Sequence, residues 1–158
     1  MLVISDSSPL IALAQCGRLD LLDSLFDQVT IPAKVFEETQ VTAGKVASLI
    51  TAWSQGKIMT VNGTNLARAK ALALDPGETE ALALYWDTNA DLLLIDELEG
   101  RQAALAAGIK ITGTVGILIT AKQRGLVPAI RPLLDILRTL NFYISDNLYH
   151  RALSAAKE

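Results

Sequence analysis

Asp91-Leu92-Leu93-Leu94-Ile95-Asp96 decides the fold class. Four aliphatic residues in a row, closed on both sides by aspartate, are too few for a helix and show no alternation. They predict a central strand buried on both faces, as in a parallel sheet covered by helices. The flanking sequence agrees. Upstream, Asp75-Pro76-Gly77-Glu78 opens a helix to about Trp86, with Asp as N-cap, Pro at the first helical position and Glu three residues after the cap. Downstream, Arg101 to Ala107 is helical and stops at Gly108, and Ile109 to Thr112 is a short strand. Gly113-Thr114-Val115-Gly116 then turns into a helix ending at Gly125, with Thr114 as its expected cap.

The N-terminal half repeats this alternation. Leu2 to Ile4 reads as a strand running into Asp6-Ser7-Ser8-Pro9, a helix start, with helix from Leu10 to Cys16 and a stop at Gly17. A second helix covers Arg18 to Phe26, and Val29 to Ile31 is a strand. Pro32 opens a helix carrying Val35, Phe36, Glu37 and Glu38. Ala43 to Gln55 is a further helix and Lys57 to Val61 a short strand. Near the C-terminus, Pro128 starts a long helix to about Leu140, Phe142 to Ile144 reads as an edge strand, and Asp146 caps a terminal helix. Strands alternating with helices predict an α/β fold, a mainly parallel sheet with helices on both faces, in one domain spanning 1–158.

Composition narrows the chemistry. The chain has 158 residues, 51% hydrophobic and 20% charged, enough to bury a sizeable core. No apolar run approaches the roughly 18 residues of a membrane span. No basic region precedes the apolar start, so a cytoplasmic protein without membrane contact is expected. A single cysteine, Cys16, excludes an internal disulfide framework, and a single histidine, His150, argues against His-centred metal sites and Ser-His-Asp catalysis. Cys16, Trp53 and Trp86 read as packing residues. There is no glycine-rich nucleotide loop and no G-x-S-x-G nucleophile elbow. What remains is carboxylate chemistry. The net charge of −3 also hides a polarity: residues 1–100 carry 6 basic and 14 acidic side chains, residues 101–158 carry 8 and 3. A basic C-terminal third suits a nucleic-acid or partner surface, or is simply an uneven distribution.

In parallel α/β sheets, sites form at the carboxyl ends of strands, where Asp6 and Asp96 stand. Asp6 with the hydroxyls of Ser7 and Ser8 suits a divalent cation, or caps the next helix. Asp96 is followed by Glu97 and Glu99, three carboxylates that need a cation or Arg101 to offset their repulsion. Glu78 is explained by the capping box. Glu80 has no such local role and is the preferred ligand on that helix. Glu37 and Glu38 lie near a helix end, against the macrodipole. A receiver-type phosphoacceptor would use a similar acidic pocket.

These segments, "ISDSSPLIAL" at 4–13, "IPAKVFEE" at 31–38, "GETEALAL" at 77–84, "LLID" at 93–96 with "GR" at 100–101, and "GTVGILITAKQRG" at 113–125, together resemble the PIN-domain family. The closest branch resembles VapC-type toxin ribonucleases of toxin–antitoxin pairs. The resemblance implies a three-layer α/β/α sandwich and a metal-dependent ribonuclease using Mg²⁺ or Mn²⁺. It places Asp6, Glu38, Glu80 and Asp96 at the metal and catalytic positions, with Glu78 as rival to Glu80 and either Glu97 or Glu99 as a further acid. Asp6 and Asp96 would ligate directly, Glu38 and Glu80 directly or through water. Phosphate contacts are expected from Arg101, Lys122, Arg124 and Arg131. The implied partners are an RNA substrate, a small antitoxin protein and a second copy in a homodimer. A scaffold of weak activity that acts by binding RNA or a partner is the competing reading.

Overall fold

The computed structural model describes residues 1–42 and 44–158. Five parallel strands form one sheet in the order β3-β2-β1-β4-β5: β1 is Leu2–Ser5, β2 Gln28–Pro32, β3 Ile58–Met59, β4 Leu92–Leu94 and β5 Ile111–Thr112. Val3 stands beside Leu92 and Val29, Ile4 beside Leu93 and Thr30. Successive residues enter opposite cores. Val3 and Leu94 pack on one face and Ile4, Leu93 and Ile95 on the other, each fully buried. That is why the strand pattern is continuous rather than alternating.

The first face is covered by α1 (Ser7–Gln15), α2 (Asp20–Leu25), α3 (Ala33–Thr39), α4 (Gly44–Trp53), α8 (Thr114–Gln123), α9 (Arg131–Thr139) and α10 (Asp146–Ala155). The second is covered by α5 (Asn65–Lys70), α6 (Pro76–Thr88) and α7 (Leu98–Ala106). The architecture is therefore the expected three-layer α/β/α sandwich, with a wholly parallel sheet. Among the described residues no helix is long and apolar enough to cross a membrane.

The chain winds outward from β1 through β2 to β3, then returns to β4 on the other side of β1. The sheet's direction of winding reverses between β1 and β4, where the backbone N–H of Asp6 donates to the Leu94 carbonyl at 2.9 Å. Ligands in open α/β sheets bind at this kind of reversal, beyond the carboxyl ends of the strands.

Several local expectations are corrected. Phe142 to Ile144 is not a strand: Phe142 and Ile144 anchor in the core, and the segment forms no ladder beside β5. Ser145, not Asp146, caps α10, accepting from the Leu148 N–H at 3.1 Å. Gly113 rather than Thr114 holds the cap position of α8. The long helix placed from Pro128 begins at Arg131, because its first amides are satisfied from the C-terminus: Glu158 accepts from Ile130 N at 2.6 Å and Arg131 N at 3.2 Å. Helix α5 has no counterpart in the sequence reading; its start is held by Asp87 of α6, which accepts from the Asn65 side chain at 2.7 Å. Ala43, the expected first residue of the fourth helix, lies outside the described residues.

Leu94 lies at the centre of this arrangement, while Ile58 on the edge strand β3 is 42% exposed. Leu94→Ala should cost about 3 kcal/mol in urea unfolding and Ile58→Ala less than about 1 kcal/mol. Equal costs would contradict the strand order.

Candidate active site

Four helices begin at the carboxyl end of the sheet and bring their N-termini together. Asp6 stands at the N-cap position of α1. The start of α6 receives Glu38 of α3, whose Oε1 accepts from Gly77 N at 2.9 Å and whose Oε2 accepts from the Ser7 hydroxyl at 3.3 Å. The start of α7 is tied in by the Ser8 hydroxyl, which donates to Glu97 at 3.2 Å. At the start of α8, the amide and hydroxyl of Thr114 donate to the two oxygens of Asp96, at 2.8 and 2.6 Å. Each helix N-terminus is worth a partial positive charge, and this offsets part of the repulsion among the carboxylates it faces.

Three glycines make room for them. A Cβ on Gly77 would overlap the Glu38 carboxylate. On Gly100 it would lie 2.9 Å from a Glu78 oxygen, and on Gly113 2.6 Å from Asp96 Oδ1. Acid and glycine are thus fitted together at each position.

Asp6 is the most constrained member. It is 2% exposed, and its Oδ1 is buried with no hydrogen-bond partner. Burial pushes its carboxyl up to about 8; the Ser7 amide works against this, while the negative charges of Glu78, Asp75 and Glu38 add to it. Glu78 is also buried and is pushed up to about 7, by burial first and then by Asp75. Glu38 and Asp96 are raised too, each chiefly by burial; the Thr114 bonds and the Arg101 charge pull Asp96 back. A cavity of about 570 Å³ opens over Asp6, Ser7, Ser8, Asp75, Glu78 and Glu97, and Glu99 also lines it. Neither Glu97 nor Glu99 is singled out.

The structure places Glu38 near Asp6 and sets Asp96 just past the neighbouring strand β4, bonded to the start of α8; it does not bring Glu80 to Asp6. Glu80 projects from another side of α6 and accepts from Lys34 N at 3.0 Å, in the first turn of α3. It lines a separate pocket with Lys34, Lys70 and Leu74. Glu38 and Glu80 therefore cap each other's helices reciprocally, α3 onto α6 and α6 onto α3. Glu78 takes the place toward Asp6. Its backbone N–H, not its side chain, makes the capping contact, donating to Asp75 at 2.8 Å, which leaves the carboxylate free to turn inward.

Of the expected phosphate contacts, only Arg101 lies here. It donates to the Ile95 carbonyl at 2.8 Å beside Asp96. Lys122 and Arg124, at the far end of α8, bind the Pro128 and Leu25 carbonyls. Ten helical residues, about 15 Å, separate that end from Asp96.

This geometry and the sequence agree with one family. A family model described as a PIN domain matches residues 2–158. The chain belongs to the PIN-domain family. No curated protein matches it. PIN domains are generally nucleases, hydrolases that typically use divalent metals. Among the described residues no three carboxylates are gathered closely enough to hold an ion by themselves. The donor set nevertheless fits a hard divalent cation: it is all oxygen, it is mutually repulsive, and the buried Oδ1 of Asp6 lacks any partner.

A metal-free fold that keeps Asp6 protonated releases that proton on unfolding, since a free aspartate titrates near 3.8. Stability in EDTA should therefore fall as pH rises from about 4 to about 8. Asp6→Asn should remove most of that slope, and at pH 8 should raise stability by on the order of a few kcal/mol. Mn²⁺ should reverse the order by stabilising wild type alone. Thermal melts across pH, with EDTA or Mn²⁺, check this; parallel slopes for the two proteins would contradict it.

Proposed function

We propose that this PIN domain is a Mg²⁺- or Mn²⁺-dependent endoribonuclease. The observation that carries the reading is the unpartnered, buried Oδ1 of Asp6 at the β1–β4 reversal, with the charges of Glu78, Asp75 and Glu38 acting on it. A group of acids that cannot all ionise unaided is suited to a cation and to the phosphate that follows it. Asp6 and Asp96 would hold the ion, with Glu38 and Glu78 reaching it directly or through water. When bound, the cation would neutralise phosphate charge and acidify an attacking water.

The chain's own residues supply orientation. Thr114 bonds both oxygens of Asp96, fixing the carboxylate and leaving one lone-pair direction on each oxygen for a ligand. Gly77 and Ser7 do the same for Glu38. Arg101, held by the Ile95 carbonyl, places a cation beside the site where a phosphate can meet it. The toxin-like resemblance adds a small antitoxin protein and a homodimer to this reading, because an uninhibited ribonuclease needs restraint in the cell that makes it.

Purified protein should cleave single-stranded RNA with Mn²⁺ and not with EDTA. Asp6→Asn should lose at least about a hundredfold in rate. Glu78→Gln should lose activity comparably, whereas Glu80→Ala should cost about 1 kcal/mol of stability through α3 and leave the rate near wild type. The same low rate in wild type and Asp6→Asn would instead favour a binding module.

A further inference from the structure

A cavity of about 590 Å³ runs from Asp96 and Arg101 past Ile119 to Phe142, Tyr143 and Leu148. It adjoins the acid-lined cavity, sharing Glu97 and Leu98 with it, and carries Asp96 at that end. Its far wall is built by the segment between α9 and α10. Asn141 takes a left-handed conformation there (φ 63°), and Phe142 and Ile144 pack into the core on either side of Tyr143. With both neighbours anchored inward, Tyr143 is forced outward and is 86% exposed. The packing of Phe142 and Ile144 thus holds an aromatic side chain in water at the groove's edge, beside the exposed Leu98 and Leu148 of the same groove, an apolar patch of the kind that marks interaction sites.

Resting on the ribonuclease reading above, we infer that this groove is the path of the single-stranded RNA flanking the scissile phosphate, and that Tyr143 is the platform on which one of its bases stacks. The lining alternates as a nucleotide does. Arg101 supplies a cation at the Asp96 end, and an apolar floor with an aromatic wall follows within the same groove. Glu97, at the rim, is turned toward the Ser8 hydroxyl. Single-stranded RNA is recognised mainly by bases splayed onto aromatic and guanidinium planes, and every base offers a π-face. The volume lies within the range of small-ligand sites. A base seated there lies on the same groove as Asp96, so stacking positions the strand without touching the reacting atoms. Tyr143 is a positioning residue.

The test uses the full chain and a fluorescein-labelled single-stranded RNA of about ten nucleotides, read by anisotropy in EDTA, where the strand is not cleaved. Tyr143→Ala should weaken binding at least about fivefold and Tyr143→Phe less than about twofold, because stacking needs the ring and not the hydroxyl. A duplex of the same sequence should bind both variants as it binds wild type. Tyr143→Ala should melt with wild type, its side chain being exposed. On cleavable RNA, Tyr143→Ala should raise KM and leave kcat unchanged. Equal single-strand affinity of Tyr143→Ala and wild type overturns the inference. So does an equal loss on duplex, or loss of a bound protein partner with RNA affinity intact. Absence of Mn²⁺-dependent cleavage while binding still depends on Tyr143 sinks the nuclease reading alone; cleavage with no dependence on Tyr143 sinks the groove alone.

Discussion

The carboxylate of Asp6 has to be buried at the one point where the sheet reverses its winding, and much of the surrounding structure follows from that. Its backbone N–H is committed to Leu94, which joins β1 to β4, so the backbone that carries the carboxylate is fixed between the two central strands. Burying a charge without a partner is among the most costly things a fold can do. Here the cost is moderated by the Ser7 amide at the start of α1 and by protonation, which burial favours at Asp6 and Glu78. A divalent cation would relieve the same strain more completely. Folding stability and function are then linked through one group of oxygens.

The reciprocal capping of α3 and α6 shows how packing chooses among chemically equivalent acids. Glu38 and Glu80 each satisfy the first turn of the other's helix. Only the start of α6 faces Asp6, so the same device brings Glu38 to the site and keeps Glu80 away from it. Glu78 needs no such contact. Its carboxylate approaches Gly100, where a Cβ would crowd both Ile95 and a Glu78 oxygen.

This bears on what was legible in the residues. Leu92–Ile95 and Leu2–Ile4 announce buried strands because both sheet faces are covered, and the aspartates at their ends lie where such sheets bind ligands. These are local signals, as is the Asp75 cap. The choice between Glu78 and Glu80 is not local. The run Ala81–Leu84 is buried on every side and marks no face, so helical spacing cannot separate the two. A capping box explains Glu78 on paper, yet the contact is made by its amide and frees its side chain. Helix α5 was hidden for a related reason, its cap coming from Asp87 across more than twenty residues. Phe142–Ile144 has the in-out alternation of a strand, but the alternation arises from core anchoring and leaves Tyr143 in solvent.

The charge polarity of the chain has a physical consequence for how a polyanion would be held. The basic C-terminal third does not form a phosphate track at the acidic cavity. Lys122 and Arg124 are committed to carbonyls at the far end of α8, Arg138 pairs with Asp146 and covers the ring of Tyr149, and of these four Arg101 is the one beside Asp96. A surface with so few phosphate contacts releases few counterions, so affinity for a nucleic acid there would depend weakly on salt. The interactions left to supply it are a cation held by the carboxylates and stacking in the Tyr143 groove. Both favour an unpaired strand: a duplex keeps its bases stacked on one another and has none to offer the aromatic wall. The net acidity of the protein is therefore compatible with an RNA substrate, provided that the substrate is single-stranded.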